Sequence, residues 1–200
     1  MLVRASSFTV ELGENGYLIG FTDDYAYPAE MPFGWRCGPA TANSAVVLTT
    51  TDTGPLRITV QIHDAPPPAE TDGDWEPAEE LSLRTDLPDV SLATLEQGDA
   101  MDAWPDDEPP VPAPPALDAS DGWVRMRLYC HTDDPEPGIG DHGERHLVQL
   151  WSAPEAPPVH PDLTEEDRRA RAEYAAEAAF PAEDHTVMYT RTYGGPVDDD

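Results

Sequence analysis

Gly122-Trp123-Val124-Arg125-Met126-Arg127-Leu128-Tyr129-Cys130 and, after an acidic loop, His146-Leu147-Val148-Gln149-Leu150-Trp151 decide the fold class. In the first run Val124, Met126, Leu128 and Cys130 alternate with Arg125, Arg127 and Tyr129. Successive side chains of a strand point to opposite faces, so the apolar set belongs to a core and the other set is expected on an exposed face. The second run is more continuously apolar, as a strand covered on both sides should be. Between them Pro135, Pro137, Gly138, Gly140 and Gly143 break any regular pattern. The stretch from Gly122 to Ala153 therefore reads as two β-strands joined by a loop.

The same reading extends toward the N-terminus. Phe8, Val10 and Leu12 form a first alternation, and Gly13-Glu14-Asn15-Gly16 supplies an Asn-Gly hairpin signal, with Tyr17 to Thr22 as the returning strand. Residues 23–42 are aromatic and aperiodic, and Tyr25, Tyr27, Phe33 and Trp35 are expected to cap one end of the sheet core. Asn43 to Thr50 reads as a strand and Thr51 to Pro55 as its turn. Leu56 to His63 is the cleanest alternation in the chain, the natural occupant of a half-solvated antiparallel sheet. After the central pair comes a Pro-rich connection, Pro154 to Pro161. Thr164 then caps a helix expected over 163–180, with Arg168, Arg169 and Arg171 on its polar side and Pro181 at its end. A last strand is expected over Thr186 to Tyr193 and a tail over 194–200. No alternation of strands with helices suggests a parallel sheet. The expected fold is mainly β: one domain over 1–200, an antiparallel β-sandwich of six to eight strands with one C-terminal α-helix and long acidic Pro-rich loops.

Charge is the dominant compositional fact. The chain carries 40 acidic and 11 basic side chains, a formal net charge of −29, and every basic residue is Arg. No basic patch exists to neutralise phosphates, so neither nucleic acid nor an anionic membrane is an expected partner. A strong single-sign field steers association with a basic protein. Adaptation to a salt-rich cytoplasm, or a GC-rich genome, would produce the same bias without a binding function. Met1 to Ser7 lacks the apolar core of a signal peptide and no run approaches a membrane span, so a cytoplasmic location is expected. There the two cysteines, Cys37 and Cys130, are expected as thiols, Cys130 buried on its strand's apolar face, with a Cys37–Cys130 disulfide as the alternative.

Carboxylates crowd residues 64–120, where Arg84 is the single basic residue. Apolar content thins to Leu81 and Leu83 and a second piece at Val90-Ser91-Leu92, and residues 106–117 read as an extended polyproline-like loop. This acidic, Pro-rich insert supplies the candidate partner-binding residues: Asp72, Asp74, Trp75, Glu76, Glu79, Glu80, Asp102, Trp104, Asp106, Asp107 and Glu108. The carboxylates could imitate phosphate charge. Trp75 and Trp104 are the anchor candidates, unless they fold back onto the sheet.

Other chemistry finds little footing. His131, Asp133, Asp134, Asp141, His142, Glu144 and His146 gather ligand-type side chains around one loop, but their spacing matches no zinc pattern, and a solvated loop is the expectation. No nucleophile elbow, phosphate-cradling loop or dinucleotide fingerprint occurs. Neighbouring carboxylates are inevitable in so acidic a chain, and those of 64–120 lie in the least apolar stretch, where no burial would raise a general acid's pKa. No enzyme activity, cofactor or metal is expected.

Short alternating strands, a long acidic middle and the late pair Gly122 to Leu128 and His146 to Trp151 resemble the competence protein J (Nin) type. That family consists of small acidic proteins that inhibit a DNA-entry nuclease. The resemblance implies an acidic β-sandwich that occupies a basic, nucleic-acid-binding surface, and it assigns no individual residue. The reading is an immunity or inhibitor protein neutralising a basic partner such as a nuclease or toxin, as a monomer or as a heterodimer with its target. The alternative is a non-catalytic accessory domain whose acidity serves solubility.

Overall fold

The computed structural model describes residues 1–26, 35–71, 73–96 and 99–162. The expected helix over 163–180, its arginine cluster, the last strand and the tail lie outside the described residues, as do Tyr27 and Phe33.

Eleven strands form among the described residues: β1 Leu2–Leu12, β2 Tyr17–Gly20, β3 Cys37–Pro39, β4 Ser44–Val47, β5 Thr51–His63, β6 Glu79–Arg84, β7 Ser91–Glu96, β8 Asp99–Asp102, β9 Trp123–His131, β10 Gly138–Ile139 and β11 Arg145–Ser152. They build two sheets. One has the order β1-β5-β11-β9-β6, with β10 beside the start of β5; the other runs β3-β4-β2-β7-β8. The sheets pack face to face. Phe8, Leu56, Ile58, Met126, Leu128, Val148 and Leu150 of the first share one buried cluster with Tyr17, Ile19, Val47 and Leu92 of the second. Each such side chain contributes about 1.5–3 kcal/mol by leaving water. The second sheet also buries Leu18, Val46, Ala93 and Leu95 on its other face, where Tyr25 packs on them.

Four expectations need correction. The Asn15-Gly16 turn makes no hairpin: β1 pairs with β5 and β2 with β4 and β7, so the turn carries the chain from one sheet to the other. An Asn-Gly pair specifies a tight reversal, not the partner of the next strand. Here β2 is buried at every residue and needs neighbours on both sides. Residues 51–55 are the start of β5 rather than a turn. Pro55 is tolerated because the pairing of β5 with β11 begins only at Arg57, so its missing N–H is not needed. The first sheet is mixed, not wholly antiparallel, since β11 runs parallel to β5. Between those two neighbours the chain passes through the second sheet as β7 and β8, so strands make the crossover that a helix usually makes. The fourth correction concerns β9. Arg125 and Tyr129, expected on an exposed face, are only 5% and 4% exposed.

Residues 64–120, read as a loop-rich insert, contribute β6, β7 and β8. These strands are four to six residues long, too short to register as periodicity. Gly20 shows how close the β2–β4 pair sits, because a Cβ there would stand 2.1 Å from the Asn43 carbonyl oxygen and 2.7 Å from the Ser44 Cα. Neither backbone atom can withdraw. Gly20→Ala is expected to cost about 3 kcal/mol in urea unfolding, and a loss below about 1 kcal/mol would refute that close fit.

Candidate protein-interaction surface

The outward face of the first sheet is roofed by Pro-rich straps. Arg125 and Arg127, two apart on β9, both reach Glu80, which is the register partner of Arg127 on β6. The Arg125 Nε donates to Glu80 Oε2 at 3.0 Å and the Arg127 Nε to Oε1 at 2.7 Å. Their remaining N–H groups donate to the carbonyls of Ala156, Pro157 and Pro67 and to the Ser82 hydroxyl. Proline carbonyls suit this role, since proline has an acceptor but no competing N–H. Arg127 also lies 5.0 Å from the centre of the Trp151 ring. Burial alone would raise the Glu80 carboxyl, and the two guanidinium groups outweigh it and hold it below its ordinary value.

A second polar chain lies inside. The Glu144 carboxylate accepts from the amides of Thr50 at 2.9 Å and Thr51 at 2.7 Å and from His146 Nε2 at 3.1 Å. With Nε2–H given to Glu144, the network assigns the proton-free Nδ1 to the Tyr17 hydroxyl, 3.0 Å away. Burial would raise the Glu144 carboxyl, but the His146 bond and the two amides bring it down to about 2. Neither the His146 nor the Glu144 side chain is exposed, and Tyr17 is 0% exposed, so no substrate atom reaches this chain. It resembles an acid–base relay in connectivity and serves as structure. Nearby, Glu79 accepts from the amides of Arg36 and Cys37 and from His160 Nδ1. The Arg36 side chain forks onto Glu76 at 2.9 and 2.5 Å. Cys37 and Cys130 are free and buried, and burial pushes both thiols well above their ordinary pKa.

The candidate residues thus separate. Asp72 lies outside the described residues. Asp74 is exposed, and its carbonyl accepts from His131 Nδ1 at 2.7 Å. Trp75 folds back onto Tyr129, His131 and the guanidinium of Arg145. Glu76, Glu79 and Glu80 are engaged as above. On the other side, Trp104 packs edge-on against Phe8 at 4.8 Å, and its indole N–H donates to the Glu108 carbonyl. The Glu108 carboxylate accepts from the Ser6 hydroxyl at 2.7 Å. Asp102, Asp106 and Asp107 are exposed, with no ion pair among the described residues. Glu79 and Glu80 belong to β6, whereas Trp104 and Glu108 rest on β1, and these strands are opposite ends of the first sheet. Residues 74–80 and 102–108 are therefore two surfaces rather than one.

The histidines part as well. His146 is the register partner of Cys130 and His131 that of Arg145, so the two imidazoles point to opposite faces. His131 places Nδ1 at the Asp74 carbonyl and Nε2 at Asp133, and these two acceptors raise its pKa. His142 approaches Asp134 at 3.5 Å. Among the described residues no three such groups converge on a metal-sized space.

Sequence reasoning missed the arginine-to-Glu80 junction and the Glu144 chain. An Arg-x-Arg on one strand face was a usable signal for a buried acid opposite. The amide contacts of Glu144 depend on a loop crossing that no local pattern encodes.

No helix among the described residues is long and apolar enough to cross a membrane. No family model matches the chain, and no curated protein sequence does. Two solved structures are similar to it. One is ComJ from Bacillus subtilis, described as an inhibitor of the DNA degrading activity of NucA. It is 11% identical with a TM-score of 0.47, covering 76% of this chain and 99% of ComJ. The other is described as crocagin biosynthetic gene J, 13% identical with a TM-score of 0.41, covering 76% of this chain and 98% of its own. ComJ, the type the strand pattern resembles, is thus among the solved structures to which this chain is similar.

Proposed function

We propose that the chain is an acidic interaction protein of the inhibitor or immunity kind, binding a basic partner such as a nuclease or toxin. One observation carries the reading. Three of the seven described arginines, Arg36, Arg125 and Arg127, are held on carboxylates and Arg145 lies over Trp75, while Asp102, Asp106 and Asp107 face solvent without an ion pair among the described residues. With a formal net charge of −29, the field that a basic protein would meet is negative. The reading rests on this arrangement rather than on the likeness to ComJ.

The test is a pull-down from the native lysate at low salt, with a salt step and identification by mass. One basic protein released by salt supports the proposal and supplies the target for a nuclease assay. A second reading is favoured by the separation of the two acidic surfaces: acidity spread over the molecule for solubility, in a non-catalytic accessory domain. It expects a smear of unrelated basic proteins instead. Under the first reading, Asp106→Asn with Asp107→Asn slows association with the captured partner several-fold at low salt and leaves it unchanged at high salt. Equal slowing at both salt concentrations would argue against electrostatic steering.

A further inference from the structure

We infer that the free edge of β1 is where the basic partner docks, by adding an extended segment of its own as a further strand of the first sheet. The inference rests on the proposed function and names its mode of contact. The carrying observation is how differently the four sheet edges are treated. On β6, Glu80 exchanges both backbone bonds with Val159, Ser82 bonds Ala156, and the Arg84 amide donates to the Ala42 carbonyl. The β3 edge is three residues long, ends in Pro39, and gives its Cys37 amide to Glu79. The β8 edge is four residues long and bounded by Asp99 and Asp102. Short, charged, proline-bearing or covered edges are the ordinary protections against strand addition. Among the described residues no strand covers the β1 edge, and it is neither short nor proline-bearing: it is 11 residues long, and its charges, Arg4 and Glu11, stand toward its ends with none between Ala5 and Val10.

The register identifies the free groups. The Arg57 amide donates to the Glu144 carbonyl, so the odd-numbered residues of β5 bond toward β11 and the even-numbered ones toward β1. The partners of Leu56, Ile58, Val60 and Ile62 on β1 are Val10, Phe8, Ser6 and Arg4. Ala5, Ser7, Thr9 and Glu11 therefore aim their N–H and C=O groups away from the sheet. The 2.8 Å contact between the Ser7 and Thr59 hydroxyls agrees, because side chains of a non-hydrogen-bonded antiparallel pair stand closer. All four residues are exposed, and no strand covers them among the described residues. Their spacing accepts a strand of about seven residues, roughly 20 Å.

Charge selects the occupant. The turn holding Asp106, Asp107 and Glu108 is tied to the strand through Ser6 and Phe8, and Glu11 stands near its far end. An incoming β-prone segment with Lys or Arg at alternate positions meets the acids of the turn on the face of Ser6 and Phe8 while its backbone satisfies the edge, and Glu11 lies on the opposite face. A second copy of this chain would bring two such turns together on top of a charge of −29 per copy.

The test is an amide NMR titration with the peptide (Lys-Val)4, followed by the salt-released partner, with hydrogen exchange read residue by residue. The amides of Ala5, Ser7, Thr9 and Glu11 should exchange freely in the protein alone and become protected in both complexes. Thr9→Pro removes an N–H the sheet does not use, so the variant should fold and bind about tenfold more weakly or worse, with Thr9→Ala unchanged. Protection of these four amides in the free protein, or self-association through them, would overturn the inference whether or not the variant folds. Basic ligands that bind with salt dependence but leave β1 unperturbed would overturn the edge and spare the proposed function. If neither the peptide nor any lysate protein binds, both fall.

Discussion

Glu80→Ala is expected to lower stability by about 3–5 kcal/mol, because it leaves the Arg125 and Arg127 guanidinium groups roofed over without a counter-charge. Arg125 has a side-chain exposure of 6% and Arg127 of 15%, so neither can swing out to water without lifting a strap. The carbonyls of Ala156, Pro157 and Pro67 continue to accept their hydrogen bonds but carry no charge to balance two cations. Replacing all three residues together, as Glu80→Leu, Arg125→Met and Arg127→Met, should recover most of the loss, since an apolar trio of similar volume needs no desolvated ions. Urea unfolding midpoints decide it. A single substitution costing under about 1 kcal/mol would mean the straps are not held by this junction.

The second large effect is at Glu144. Glu144→Ala withdraws the acceptor from two buried amides and from His146 at once, and about 3 kcal/mol or more is expected from the orphaned donors. The conservative Glu144→Gln separates charge from shape. In the native protein this carboxyl titrates at about 2 instead of its ordinary 4.5, so it adds stability above pH 4.5 that disappears as pH falls toward 2. That increment is on the order of 3 kcal/mol. Glu80, also held below its ordinary value, loses its contribution in the same direction. Acid unfolding followed by circular dichroism should therefore be steep below pH 4.5 in the native chain and visibly shallower in Glu144→Gln. Identical profiles would contradict the assignment.

The strands that carry the core were legible because they are long and alternate cleanly: Phe8, Val10 and Leu12 in β1, Leu56, Ile58, Val60 and Ile62 in β5, and Val124, Met126, Leu128 and Cys130 in β9 are buried as expected. The continuous apolar run of β11 also meant what it suggested, and it is covered on both faces. Partner choice was less legible. Nothing local in Asn15-Gly16 says that the chain is leaving its sheet, and a parallel β5–β11 contact joins residues nearly ninety positions apart. The acidic middle misled in a more instructive way. Glu79 and Glu80 look like surface charge in the sequence, yet they cap an edge strand and neutralise two arginines beneath the straps. Charge density along a chain does not report whether its counter-charges arrive from distant strands. In the sequence Trp75 and Trp104 suit either an anchor or a cover, and in the structure both lie against the first sheet, on Tyr129 and on Phe8.

The proposed function requires the acidic surface to attract a basic protein. Its most direct measurement is the association rate of the chain with the salt-released partner as a function of ionic strength. The association rate should fall at least tenfold between 20 mM and 500 mM salt, while the dissociation rate changes far less. An association rate indifferent to salt would contradict it and leave the acidity as a property of solvation alone.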